Sequence, residues 1–295
     1  MFYLSNLYMM EYDNGGISGL VNLGNTCFMN TTIQCMGHVK RFRQFILNTD
    51  FHEKDQKLCY QFKRLLNGLW ENNCTVNPVS FFKTIKSIAK KEKFNVNFTG
   101  YAQNDIHEFI NFILEIMESE HDSFFKKNYY GSYNSVIKDT EGKQISKTQK
   151  CFNTLLLPLK GNSLGECIEE YLSDEYLDDD NKYLNEKTNE YINAYKKISF
   201  TKMPNELIIS LNRYTNNGEK LNQIINFPYK LKINKKIYDL VSIGNHSGNM
   251  FGGHYYAYCK HGEYWYNFND SSAIKIDKNK LITPNAYVLF YSCME

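Results

Sequence analysis

A cysteine inside a run of glycines and small polar residues is the first place where this chain could do chemistry. In Gly19-Leu20-Val21-Asn22-Leu23-Gly24-Asn25-Thr26-Cys27-Phe28-Met29-Asn30, Cys27 follows turn-forming residues and precedes a stretch suited to a helix. A thiol at a helix N-terminus faces the positive end of the peptide dipoles, which favours thiolate and lowers the pKa. Such a nucleophile needs a base, and the base needs an orienting group. His254 stands behind Gly252 and Gly253 and opens the strand-like run His254-Tyr255-Tyr256-Ala257-Tyr258. Glycines at that place let another backbone approach closely. Further on, Trp265-Tyr266-Asn267-Phe268-Asn269-Asp270 ends an aromatic strand with an amide and a carboxylate. A hairpin joining the two stretches would set Asn269 beside His254. Taken singly these features are commonplace, since most cysteines are structural and most strand histidines are simply hydrogen-bonded. Together they supply a nucleophile, a base and an orienting amide in the order Cys, His, Asn, one of the known triad orders.

The elements that must hold them can be read from apolar spacing. Residues 56–70 carry Leu58, Phe62, Leu65, Leu66 and Leu69 at a helical period. Residues 79–91 repeat it with Phe82, Ile85 and Ile88 after Pro78. The clearest helical stripe is Ile106, Phe109, Ile110, Ile113, Leu114 and Met117 within 105–117. Beyond it the texture changes. Residues 129–150 suit strands and hairpin turns, 155–159 form a short apolar strand, and 174–202 are charged and read as exposed. Residues 207–211, 254–259, 263–268 and 286–291 read as strands. Helices first and strands later predict an α+β architecture. No internal repeat occurs, and with only 5 prolines no Pro-rich linker divides the chain.

Composition narrows the partner. In 295 residues, 34 Lys plus Arg face 32 Asp plus Glu, a net charge of +2. That balance excludes an electrostatic binder of nucleic acid or membrane. Arginine, the bidentate phosphate ligand, occurs only at positions 41, 43, 64 and 213. The 8 cysteines contain no C-x-x-C pair, which argues against zinc knuckles and a redox dithiol. The segment Met1 to Asp13 lacks a basic start and is not a signal peptide. The uncharged run 14–39 is long enough for a bilayer but too rich in Asn, Thr, Gln and His to enter one. An intracellular protein, cytoplasmic or nuclear, is expected.

At these residues the chain resembles the ubiquitin-specific proteases, papain-like deubiquitinases with a thumb, palm and fingers layout. Asn22 to Asn30 resembles that family's Cys box. Gln103-Asn104-Asp105-Ile106-His107-Glu108-Phe109 resembles the box that opens its thumb helix. Leu207 to Tyr214, Gly252 to Asp270 and Ala286 to Tyr291 resemble its His-box region and C-terminal strands. The resemblance runs from about Gly19 to Tyr291 and implies one catalytic domain over 1–295. Its lobes would be a thumb at 15–125, mostly fingers with part of the palm at 126–205, and palm at 206–295. It implies Cys27 as nucleophile, His254 as general base and Asn269 as the orienting group. Asn22 would supply an oxyanion-hole amide, with Asp270 supporting that site. Asp105 and Glu108 would meet the arginines of the ubiquitin tail, while His246, Gly252, Gly253 and Tyr255 close over its Gly-Gly end. The partners implied are ubiquitin and its conjugates, met by a monomer without a cofactor.

Departures are few. Asn104 replaces a glutamine and Phe28 a tyrosine. Many members carry two zinc-binding C-x-x-C pairs in the fingers, whereas residues near 137–142 and 183–188 hold no cysteine here, so no metal is expected. The flexible composition of 245–251 predicts a loop that changes position on binding. Two other readings stay open: a ubiquitin-binding pseudo-protease with weak turnover, and a protease for another ubiquitin-like modifier.

Overall fold

A computed structural model describes residues 15–71, 73–92, 96–249 and 252–294. The segment Met1 to Asp13, and Met250 and Phe251 of the expected loop, lie outside the described residues. The first half is helical: α1 (Cys27–His38), α2 (Lys40–Asn48), α3 (Lys57–Glu71), α4 (Val79–Glu92), α5 (Ile106–Glu120) and α6 (Asp122–Tyr129). The stripes expected at 56–70, 79–91 and 105–117 are α3, α4 and α5. Asp105 caps α5, its carboxylate accepting from the backbone N–H groups of His107 (2.7 Å) and Glu108 (3.1 Å). Helix α1 differs from these amphipathic helices, because every residue from Cys27 to His38 is buried. A helix buried all round lies in the middle of a fold. Indeed α1 packs on the sheet along one side and on α2 and α5 along another.

The second half supplies that sheet. Strands β1 (Gly131–Asp139) and β2 (Gln144–Phe152) form a hairpin, followed by β3 (Thr154–Pro158) and a further helix, α7 (Leu164–Leu172). Then come β4 (Glu175–Leu177), β5 (Tyr183–Asn185), β6 (Glu190–Ile192), β7 (Ala194–Lys202) and β8 (Glu206–Asn212). The last strands are β9 (Lys230–Ile233), β10 (Lys236–Asn249), β11 (Gly252–His261), β12 (Tyr264–Asn269), β13 (Ser272–Ile276) and β14 (Ala286–Cys293). The large sheet runs β13-β12-β11-β10-β14-β8-β3, with β9 on β10. Its pairs are antiparallel except β3 with β8. A smaller sheet, β2-β1-β7-β4, and the hairpin β5-β6 stand apart from it.

Alternation along the large sheet shows that both its faces are covered. Ile208, Val288 and Phe290 join the core under the helices. Their neighbours Leu207, Ile209, Leu289 and Tyr291 join a second core with α7's Leu164 and Cys167. Strands buried on two faces read as continuous apolar runs rather than alternating ones, which is why 207–211 stood out in the sequence.

The charged stretch 174–202 is largely exposed, as expected, and is folded into β4, β5, β6 and β7. One expectation changes. The supposed loop at 245–251 is β-strand through Asn249. Ser247, Gly248 and Asn249 pair with His254, Gly253 and Gly252. Main-chain ladder bonds there override a side-chain composition that favours turns.

Candidate active site

Cys27 is the first residue of α1, and only 3% of its surface is exposed. The residues before it form a loop closed by Asn22. The Asn22 Oδ1 accepts from the backbone N–H groups of Gly24 (3.0 Å) and Thr26 (3.2 Å). Its Nδ2 donates to Asp270 Oδ2 at 2.9 Å. A carboxamide carries two N–H donors, so one remains for a ligand. The other carboxylate oxygen, Asp270 Oδ1, accepts from Asn30 Nδ2 at 2.8 Å. Asn30 lies almost one turn along α1 from Cys27 and is itself buried. The turn bearing Asp270 is held to the nucleophile segment by its main chain too, through Leu20 N–H to Asp270 O at 2.7 Å. Gly19 is needed there, because a β-carbon would collide with the Ser271 main chain.

The base side comes from the hairpin of β11 and β12. Their register sets Ala257 opposite Phe268, so Asn269 falls diagonally from His254 on the same face. His254 Nε2 and Asn269 Oδ1 are 2.6 Å apart. This oxygen can only accept, so Nε2 carries the proton and Nδ1 is left as the basic nitrogen. Asp270 Oδ2, which holds Asn22, is also 4.0 Å from His254 Nε2. One carboxylate thus sits between Asn22 and His254.

The thiol does not have the lowered pKa expected at a helix N-terminus. Burial pushes it up, outweighing the hydrogen bond from the Tyr255 backbone N–H and the amides of Phe28 and Cys27; the Asp270 charge raises it further. Among the described residues neither imidazole nitrogen of His254 is hydrogen-bonded to the thiol. The thiol is thus held towards its protonated form, and the imidazole is already oriented by Asn269.

A family profile for ubiquitin carboxyl-terminal hydrolase matches residues 18–291. This chain belongs to the ubiquitin carboxyl-terminal hydrolase family. Among relatives, Usp2 of Drosophila melanogaster is 28% identical over 94% of this chain and 35% of its own length. Ubiquitin carboxyl-terminal hydrolase 2 of Homo sapiens is 28% identical over 94% of this chain and 55% of its own. The chain therefore spans about a third to just over half of these relatives. A solved structure of the SAGA DUB module Ubp8/Sgf11/Sus1/Sgf73 bound to monoubiquitin is similar. It has a TM-score of 0.80, 27% identity, and covers 96% of this chain and 70% of its own. The module bound to ubiquitin aldehyde gives 0.79, 28%, 97% and 71%. The ubiquitin carboxyl-terminal hydrolase fold of these neighbours is the α+β, papain-like architecture expected from the sequence.

The remaining family positions are less uniform. Glu108 is exposed at the start of α5. Asp105 is already engaged: beyond capping α5, its Oδ2 accepts from the hydroxyls of Tyr287 (2.7 Å) and Tyr255 (3.4 Å). Burial, with that carboxylate close by, raises both phenol pKa values. His246 is buried beneath the hairpin, with 4% of its surface exposed and its Nδ1 3.1 Å from Tyr214 OH. Burial, then Lys220, depresses it to about 4, so it is neutral. It supports Gly253 rather than offering a face to a ligand, since a β-carbon at 253 would collide with its Nε2. Gly252 is half-buried, and its backbone N–H donates to Asn249 Oδ1 at 3.1 Å.

The sequence reading missed Asn30, Gln103 and Tyr287 as parts of this site. Asn30 and Gln103 sat inside quoted motifs, but nothing local tells which polar side chain turns inward. Tyr287 sits in a strand that read only as core. His107, which precedes Glu108 on α5, is structural: its Nδ1 meets Ser210 Oγ (2.8 Å) and its Nε2 meets Asn111 (3.2 Å). Among the described residues no group of three or more His, Cys, Asp or Glu is placed to hold a metal ion. No described helix is long and apolar enough to cross a membrane.

Proposed function

We propose that this chain is a cysteine-type deubiquitinase that cleaves the bond after the C-terminal glycine of ubiquitin. The observation that carries this reading is the placement of one carboxylate, Asp270, between Asn22 of the nucleophile loop and His254 of the base hairpin. Cys27 and His254 act as nucleophile and base, with Asn269 fixing the imidazole. The reaction begins when His254 Nδ1 takes the thiol proton and the sulfur attacks the carbonyl carbon. Negative charge then develops on the carbonyl oxygen, where the free Asn22 N–H and the Cys27 backbone N–H can meet it. A donor of this kind contributes about 3 kcal/mol to the rate. His254 next protonates the leaving amine and the C–N bond breaks, leaving a thioester on Cys27. Water, deprotonated by the same imidazole, hydrolyses the thioester and regenerates the thiol.

Glu108 and Asp105 are proposed to meet the tail arginines, and Gly252, Gly253 and Tyr255 to line the Gly-Gly passage. His246 takes a supporting part in that passage. The lobes divide as thumb 15–125, mostly fingers 126–205 and palm 206–295. All 8 cysteines are free thiols, which suits an intracellular, reducing compartment. The chain is proposed to act as a monomer, although the neighbouring Ubp8 structures contain three further subunits. The raised thiol pKa favours a second reading, a ubiquitin binder with low turnover. One experiment separates them. Wild-type protein should release the fluorophore from a ubiquitin C-terminal amide and react with a ubiquitin-derived electrophilic probe. Cys27→Ala should do neither while still binding ubiquitin. Binding without turnover in the wild type would establish the second reading.

A further inference from the structure

Strand β11 is paired unevenly. On one side β10 accompanies it along 252–259, but on the other side β12 pairs only with Ala257 to His261. The stretch 252–256, which contains His254, therefore has a main-chain edge without a strand neighbour. Unpaired main-chain groups near a protein interior find other partners. At Gly253 that partner is a side chain from across the cleft. Gln103 Nε2 donates to Gly253 O at 3.0 Å, and Gln103 Oε1 accepts from Gly253 N–H at 3.0 Å. One carboxamide thus fills the place of a peptide group in an absent strand. Two residues on, the Tyr255 N–H lowers the pKa of the Cys27 thiol, although burial outweighs it. Gly253, which precedes His254, is therefore fixed from the opposite wall by Gln103.

The segment carrying Gln103 is tied to the nucleophile side as well. Tyr101 O accepts from Asn25 Nδ2 at 3.0 Å, two residues before Cys27. Asp105, two residues after Gln103, reaches the Tyr255 hydroxyl. Residues 101–105 hence form a bridge whose ends lie on the Cys27 loop and on the His254 strand. We propose that Gln103 is a positioning residue: by clasping the main chain of Gly253 it sets the approach of His254 to Cys27. This rests on the reading of Cys27 and His254 as nucleophile and base. Gly253 is what makes the clasp possible, since no other residue lets the strand pack so closely on His246.

Two variants and two readouts test the clasp. Gln103→Met keeps the length and loses both hydrogen bonds, while Gln103→Glu keeps the acceptor and loses the donor. On a fluorogenic ubiquitin amide, Gln103→Met should lower kcat about ten- to a hundredfold, as a small misplacement of a reacting group does. Gln103→Glu should fall between it and wild type. Ubiquitin affinity, measured in the Cys27→Ala background, should change by no more than about twofold, separating positioning from binding. Independently of ubiquitin, iodoacetamide alkylation of Cys27 across pH, followed by peptide mass mapping, should shift in Gln103→Met towards the His254→Ala profile. An unchanged kcat, a loss carried by KM and ubiquitin affinity, or a Cys27 alkylation profile identical to wild type would each overturn the proposal. A wild type that never turns over the ubiquitin amide would instead overturn the deubiquitinase reading, and the alkylation profile would still decide the clasp.

Discussion

The two walls of the candidate active site are built differently. Cys27 begins a helix with no exposed face, and its neighbours Asn30, Gln34 and His38 spend their side chains on the protein itself. Asn30 binds Asp270, Gln34 Nε2 binds Ser18 O at 2.8 Å, and His38 Nδ1 lies 2.8 Å from Gln34 O. His254, by contrast, leaves 41% of its side chain exposed near the start of β11. It is held by one short bond to Asn269 and by the clasp on Gly253. A buried wall fixes its atoms by packing, so its variants act first on stability. An exposed wall fixes them by a few hydrogen bonds, so its variants act first on rate.

The sharpest way to break this contrast is at the base. Asn269→Ala should lower kcat about a hundredfold, the scale of oriented general-base catalysis, with little change in Tm. A melting point that falls along with the rate would show that the hairpin is as tightly built as the helix. On the other wall, Asn30→Leu removes the shortest donor to Asp270 Oδ1. It should cost about 1–3 kcal/mol of stability, measured by urea unfolding, because it leaves a carboxylate oxygen under-bonded. The rate should fall by less than in Asn269→Ala, since Asp270 keeps its bond from Asn22.

The smallest effect is one of pH. His38 is buried against Trp70 and Phe268, and burial, with Arg43 and His261 nearby, depresses its pKa to about 3 from 6.5. Between those values the unfolded chain binds the proton and the folded chain does not. Protonation there favours unfolding, so this contribution to stability is full above about pH 6.5 and is lost as pH falls towards about 3. His38→Gln should lose less stability than wild type between pH 7 and pH 5, read as the shift in urea midpoint. Parallel losses in both proteins would place the acid sensitivity elsewhere.

Much of this was legible in the chain. The stripes of α3, α4 and α5 and the apolar runs of β8 and β14 follow from side-chain periodicity, which is a local property. Helices α2, α6 and α7 and the long strand β10 did not stand out. β10 carries glycine, serine and asparagine at its end, and only its partners β11 and β14 make it a strand.

Sequence by itself also determined the chemistry available: a thiol, an imidazole and two amides, in an order and context resembling one family. It could not determine their states. Whether a helix N-terminus or burial governs the Cys27 thiol depends on how much water the fold removes, and burial prevails. Whether Asp105 is free or engaged depends on Tyr255 and Tyr287, which lie far along the chain and meet it only in the folded sheet. Likewise the unpaired edge of β11, and the glutamine that fills it, exist only once β12 has ended before His254. Residue types are fixed by the chain, but solvation, register and edges arise from contacts distant in sequence, and those only the tertiary structure supplies.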